Sequence, residues 1–396
     1  MCEEGAGVLK ISILCPDLSN NCLGRAYLLG RVLQRRHEVE IVGPIFGNRI
    51  WDPVANLGDM KFRTAEIGGI PRAYWQVLQL AKIFDGDAIY ASKPLFTSYG
   101  IGLLKRISES KPLILDIDDW QLGFIREGYS NMSFGRYLES LAISAIWFHK
   151  MSSYWTTLIG EEISHLADEI TVSNTFLRDK FGGTIVWHGR DTEAFNPEKF
   201  DNDSIRERYE VDREKKMVMF FGTPAPYKGI EDLIQAIRLI RDREVALVVV
   251  GINHRDSYCR ELALKAGQML GENFTGISTQ PYDRVPEILA MADVVAIPQR
   301  RNFATIGQIP AKLFDAMSMA KPIVSTNVCD IGDILNGCGW TVEPGRPEQL
   351  AEAIRDILDN PQKAEDMGRR ARKKCIDEYS YDAIEKVLMR IFSKYE

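Results

Sequence analysis

The stretch Ile297 to Pro322, IPQRRNFATIGQIPAKLFDAMSMAKP, constrains the fold of this chain more than any other. It opens at the end of an apolar run, Asp293-Val294-Val295-Ala296-Ile297, which reads as a short buried strand. A polar loop with Arg300, Arg301, Thr305 and Gly307 follows. Pro310 stands where a helix would begin, its fixed φ suited to a first turn in which a missing donor costs nothing. Lys312 to Met319 continue that helix, and Lys321-Pro322 ends it. A buried strand running through a loop into a helix is the repeating unit of a parallel α/β sheet. The loop also leaves backbone N–H groups at the positive end of a helix dipole, which suits a phosphate. An ordinary strand–loop–helix of an α/β core carries the same pattern.

The same unit opens the chain. Val8 to Leu14 reads as a strand, and Pro16, Asp17, Ser19, Asn20, Asn21 and Gly24 as a loop. Arg25 to Arg36 has Ala26, Leu29, Val32 and Leu33 at helical spacing, and His37 to Val42 returns to strand. Ligands of such sheets bind beyond the carboxyl ends of the strands, which puts Asn20 to Gly24 at the rim. One glycine is too few for a dinucleotide fingerprint. Strands follow at Ala88 to Tyr90 and Pro112 to Ile117, with a helix at Ser98 to Ser108 between them. Asp116, Asp118 and Asp119 bunch at the end of the second strand. They suit a metal, a general base or sugar hydroxyls, and equally a solvated loop or helix cap. Aromatics crowd residues 120–160: Trp120, Phe124, Tyr129, Phe134, Tyr137, Trp147, Phe148, Tyr154 and Trp155. Helices packed on the core account for them; a hydrophobic lip for an apolar acceptor or a membrane surface is the second reading. Leu166 to Ser173 and Thr184 to Trp187 are further strands, the latter capped by His188-Gly189-Arg190-Asp191.

A polar, highly charged segment from Asn196 to Glu214 then marks a boundary. Beyond it a second α/β series has strands at Met217 to Phe221, Ala246 to Val250, Phe274 to Ser278, Asp293 to Ile297, Pro322 to Ser325 and Gly339 to Val342. Its helices include Ile230 to Ile240, Pro286 to Met291, Ala311 to Met319 and Gln349 to Leu358. With 396 residues, the chain is read as two Rossmann-like α/β domains, 1–198 and 199–376, with a final helix within 377–396. A net charge of −6 argues against a general nucleic-acid binder. Seven cysteines without zinc spacing, no leader-like start and no apolar run of about 20 residues point to a cytoplasmic protein.

Phe220 to Gly229, FFGTPAPYKG, is a strand, a loop and a Lys-Gly pair leading into a helix. Together with Ala311 to Met317 and Lys321-Pro322-Ile323-Val324 it resembles the GT-B glycosyltransferases of family four, the retaining enzymes. Ala167 to Ser173, His188 to Asp191, Val249-Val250-Gly251 and Ala292-Asp293-Val294 are similar to further family patterns, in the family's order along nearly the whole chain. The resemblance implies two Rossmann-like domains facing across a cleft, with the C-terminal helix (stripe Ile384, Val387, Leu388, Ile391) returning to the N-terminal domain. It implies a nucleotide-diphosphate sugar donor held by the second domain, an unidentified acceptor (saccharide, lipid-linked or small molecule), and no metal or other cofactor. Peripheral membrane contact and the oligomeric state stay open.

Residue by residue, Lys228 matches the family's diphosphate lysine, and a fixed cation stabilises a departing diphosphate. Asp315 matches the second of the family's paired glutamates, which accepts the ribose hydroxyls. Three positions depart: Gly307 stands where the first glutamate belongs, Thr223 where an arginine accompanies the lysine, and Asp118 where a cleft histidine belongs. Pro310-Ala311-Lys312-Leu313-Phe314-Asp315 is similar to the Pro-x-Lys-Leu-x-Glu form of the loop found in a subset that lacks the first glutamate. The catalytic candidates are therefore Asp118 and Lys228, and the donor-binding candidates Gly24, Thr223, Lys228, Gly307, Gln308, Ile309, Lys312 and Asp315. Arg190, Arg300 and Arg301 are candidate phosphate cations in place of the missing arginine, Arg190 from the N-terminal domain. A non-hydrolysing sugar-nucleotide epimerase, with His188 and Asp118 as acid and base, and a non-catalytic nucleotide-sugar-binding protein are the alternatives.

Overall fold

The computed structural model describes residues 7–55, 57–68, 72–130, 132–146, 153–209 and 211–396. The expected aromatics Trp147 and Phe148 lie outside them. The chain divides into two compact units, residues 1–188 with 382–396, and residues 189–381.

The first unit is built on seven parallel strands: β1 (Lys10–Leu14), β2 (Glu38–Ile45), β3 (Lys61–Glu66), β4 (Ala88–Ser92), β5 (Leu113–Ile117), β6 (Glu169–Val172) and β7 (Thr184–Ile185). Their order is β3-β2-β1-β4-β5-β6-β7, so the direction of winding reverses between β1 and β4. β1, β4 and β5 are covered on both faces, which is why they read as nearly unbroken apolar runs. The final helix, Tyr381–Phe392, buries Ile384, Leu388, Ile391 and Phe392. Phe392 meets Tyr90 of β4 edge-on at 5.6 Å, and Glu385 bridges to Arg36, so the C-terminal helix packs on the N-terminal sheet.

The second unit has six parallel strands: β8 (Lys216–Phe221), β9 (Val245–Ile252), β10 (Phe274–Ser278), β11 (Val294–Ile297), β12 (Ile323–Thr326) and β13 (Trp340–Val342). Their order is β10-β9-β8-β11-β12-β13, with the reversal between β8 and β11. One core joins Val218 and Phe220 of β8, Leu247 and Val249 of β9, and Ile230, Leu233, Ile234 and Ile237 of the helix Ile230–Ile240. The unit starts at Gly189 rather than at the composition shift near 198, because backbone bonds tie Arg190 to Tyr379 and Tyr381. Among the described residues, no helix is long and apolar enough to cross a membrane.

Candidate active site

In the second unit the reversal places two loops side by side, because Val294 and Val295 of β11 pair with Val218 and Met219 of β8. Crevices beyond such reversals are where open parallel sheets hold ligands. The first loop, 222–229, leaves β8 and carries Thr223 and Lys228; the second, 298–311, leaves β11. Gly229 locks them together. It has φ +64°, and a Cβ there would lie 1.9 Å from the Pro298 carbonyl oxygen, so only glycine permits the approach. Lys228 Nζ donates to the Thr223 carbonyl at 2.5 Å, folding the side chain back over its own loop.

Lys312 is the first residue of the helix Lys312–Ser318. Part of the residue remains accessible, but its Nζ is buried and has no hydrogen-bond partner. The Nζ sits 3.8 Å from the Phe220 ring centroid and 5.7 Å from that of Phe221. Gly222, at φ +102°, makes the room: a Cβ there would come within 3.1 Å of the Nζ. Burial pushes the Lys312 ammonium well below the usual lysine range, Lys228 pushes it further, and Asp315 opposes both. A desolvated cation over an aromatic face gains about 2 kcal/mol. Burying an unpaired ammonium costs several. The ring therefore does not replace water, and the charged form is disfavoured there.

Asp315 cannot rescue it, because Asp315 is engaged elsewhere. Its carboxylate bonds Arg190 Nε, and both side chains are buried. Burial pushes the Asp315 carboxyl up, and the Arg190 cation offsets part of that. Arg190 also donates to the carbonyls of Ala311, at 2.8 Å, and Gly189. Arg190 thus belongs to the second unit, not the first, and anchors the start of the Lys312 helix. The other two arginines are occupied as well. Arg300 makes two bonds of 3.2 Å to Asp232, and Arg301 donates to the Asn327 carbonyl at 2.8 Å. Pro310 precedes the helix by two residues instead of opening it, and its carbonyl accepts from Leu313 N at 2.9 Å. Ile309 is buried, Gly307 is buried, and Gln308 receives the Gln299 amide at 3.4 Å. The buried Gln299 Oε1 has no partner.

In the first unit, the three carboxylates at the end of β5 are each held by a cation. Arg25 grips Asp116 with Nε and Nη2 at 3.0 and 2.9 Å, and Asp116 also accepts from Thr171 at 2.8 Å. Lys93, just past β4 at φ +66°, bonds Asp118 at 2.6 Å and Asp119 at 2.7 Å. Burial alone would lower the Lys93 ammonium; the two carboxylates outweigh it and hold it above the usual lysine range. Among the described residues no group of three or more His, Cys, Asp or Glu side chains is disposed to hold a metal. Gly24 lies in the first turn of the helix Leu23–Leu33, and a Cβ there would meet the Trp51 ring at 3.4 Å.

The family model for glycosyl transferases group 1 matches residues 201–374. That match, under half of the chain, lies within the second unit. An alpha-D-kanosaminyltransferase of Streptomyces kanamyceticus is 26% identical over 197 residues, 49% of this chain and 47% of that one. A GDP-mannose-dependent alpha-(1-6)-phosphatidylinositol monomannoside mannosyltransferase of Mycobacterium tuberculosis is 25% identical, covering 55% and 59% of the two chains. The chain thus spans about half the length of the curated relatives it matches. Anabaena Alr3699/HepE, solved in complex with UDP-glucose, superposes over 98% of this chain and 100% of its own at a TM-score of 0.76 and 16% identity. That likeness shows the GT-B fold.

Within the matched residues, the 222–229 loop, Lys312 and Asp315 meet at one end of the β8 and β11 strands. Sequence reasoning missed Lys93 and Arg25. Lys93 had a signal in Ser92-Lys93-Pro94 at a strand end, and Arg25 in being a charge on an otherwise apolar helix start. Both pairings cross long sequence separations, so only the folded sheet reveals them.

Proposed function

We propose that this chain transfers a sugar from a nucleoside-diphosphate sugar to an acceptor hydroxyl, its group 1 domain holding the donor. One observation carries the reading: two lysines, Lys228 and Lys312, converge on the glycine-lined end of β8, and the buried Nζ of the second has no hydrogen-bond partner. A buried ammonium without a partner is a place prepared for negative charge. The diphosphate of a nucleotide sugar supplies that charge, and its departure increases it, so lysines there favour the transition state over the ground state. The GDP-mannose dependence of the mycobacterial mannosyltransferase and the UDP-glucose bound to HepE support this class of donor.

In this reading the bond from the sugar anomeric carbon to the phosphate oxygen breaks on the face where the acceptor oxygen bonds, giving retention. The acceptor proton passes to the leaving diphosphate. Lysines rather than a metal ion neutralise it. The Asp118–Lys93–Asp119 cluster, at the carboxyl edge of the first unit's sheet, serves the acceptor side. Cytoplasm is the compartment that fits. The test is a thermal-shift screen with UDP, GDP, ADP and their sugars. A ligand at 100 times its Kd adds about 2.7 kcal/mol of stability. Product analysis of the selected donor with acceptor mixtures follows: a new glycoside supports the proposal. An epimerised donor, or no turnover with a bound donor, refutes it.

A further inference from the structure

We propose that donor binding is coupled to the uptake of one proton by Lys312, so that the second cation on the diphosphate is created by the ligand itself. This rests on the reading of the group 1 domain as a nucleoside-diphosphate site. The geometry that carries it is a cluster of groups whose charges do not balance. The loop after β8 brings Lys228, and the start of the Lys312 helix brings Lys312. The nearest carboxylate on that helix, Asp315, is neutralised by Arg190 from the 189–191 segment. Phe220 and Phe221 of β8 supply only ring faces. Asp232, from the next helix, is paired with Arg300, which also faces Glu231. The Lys312 Nζ is thus left buried without a hydrogen-bond partner, beside carboxylates that arginines already hold.

Burial of a side chain whose Nζ has no hydrogen-bond partner lowers the Lys312 ammonium, and Lys228 adds to the effect, so the free protein gives up this proton below the usual lysine range. A diphosphate bearing two negative charges reverses the balance. The amine takes a proton from solvent and becomes an ammonium paired with the phosphate oxygens, and the complex gains one proton that neither free partner carried. When the product diphosphate leaves, that proton returns to solvent. The arrangement makes the pocket selective for ligands that bring charge, because only they protonate Lys312.

The experiment is titration calorimetry of the whole chain at pH 8.5 with UDP, GDP or ADP, whichever the thermal-shift screen selects. It is run in buffers of different ionisation enthalpy. At this pH the nucleotide's own phosphate is fully ionised, its last pKa being about 6. The slope of the apparent enthalpy against buffer enthalpy gives the protons exchanged. Uptake approaching one proton is expected, with Kd weakening toward tenfold per pH unit above pH 8.5. In Lys312→Arg, which is charged throughout, the uptake should vanish while binding persists. In Lys312→Met the uptake should vanish and affinity should fall at least tenfold. Tight binding by the parent protein with zero proton exchange overturns the proposal and leaves the donor site standing. Proton uptake unchanged in both variants overturns it equally. Failure of every nucleoside diphosphate to bind overturns the donor site beneath it.

Discussion

Replacing Asp315 by Asn tests whether the acidic residue of the Lys312 helix is a structural partner of Arg190. Arg190 is 3% and Asp315 6% accessible, so neither charge is solvated. Two unit charges about 4 Å apart attract by about 4 kcal/mol at an effective dielectric of 20. Breaking a buried pair by removing one partner costs about 3–5 kcal/mol, because the other charge is stranded. The Ala311 and Gly189 carbonyls still accept from the Arg190 guanidinium, but they carry no charge to neutralise it. Asp315→Asn should therefore cost the second unit about 3–5 kcal/mol, a large part of a domain's usual 5–15. Scanning calorimetry is the assay, because two units need not unfold as one transition. The double variant Arg190→Leu/Asp315→Leu should be less destabilised than the two single variants summed, since it strands no charge. A loss below about 1 kcal/mol in Asp315→Asn, or additive single and double variants, would refute the pairing argument.

Lys228→Ala should weaken binding of the selected nucleoside diphosphate by at least tenfold in calorimetry, since a hydrogen bond to a charged group contributes about 1.5–3 kcal/mol; unchanged affinity would remove Lys228 from the site. The empty protein should gain stability as pH rises between the depressed Lys312 value and the ordinary lysine value near 10.4. There the unfolded chain holds a proton that the folded one lacks, a slope approaching 1.4 kcal/mol per pH unit. Lys312→Met should remove that contribution in denaturant titrations at pH 8 and 9, and an identical slope would contradict the buried amine. Lys93→Met should cost the first unit about 3–5 kcal/mol by leaving Asp118 and Asp119 without their cation. Because Lys93 is held above its ordinary value, its own contribution should be fully present below about pH 10.4 and lost only as pH rises through the higher folded value. A flat profile there, with a small loss in Lys93→Met, would show that the bridge is not formed in solution.

The architecture was written locally. Ile230 to Ile240 reads as a helix from its apolar spacing and is one over that span. The buried strands β1, β5, β8, β9 and β11 read as apolar runs because both faces are covered. The edge strand β3 went unread, since its residues are half-buried or exposed and carry no apolar run. The long helix Ser257–Leu270 was missed for a related reason, burying only Cys259, Leu262 and Ala266. Motif order along the chain carried the resemblance, and Gly229 is a local necessity of the loop it builds. What tertiary structure alone decided was the pairing of charges. Arg25 with Asp116, Lys93 with Asp118 and Arg190 with Asp315 join residues 91, 25 and 125 positions apart. With Arg300 on Asp232 and Arg301 on the Asn327 carbonyl, the Arg190 pairing occupies the three arginines expected at the phosphate, and the Lys312 Nζ is left without a hydrogen-bond partner. Whether a charge is matched depends on which strand ends and helix starts become neighbours and how far water is excluded between them, and a linear sequence carries neither.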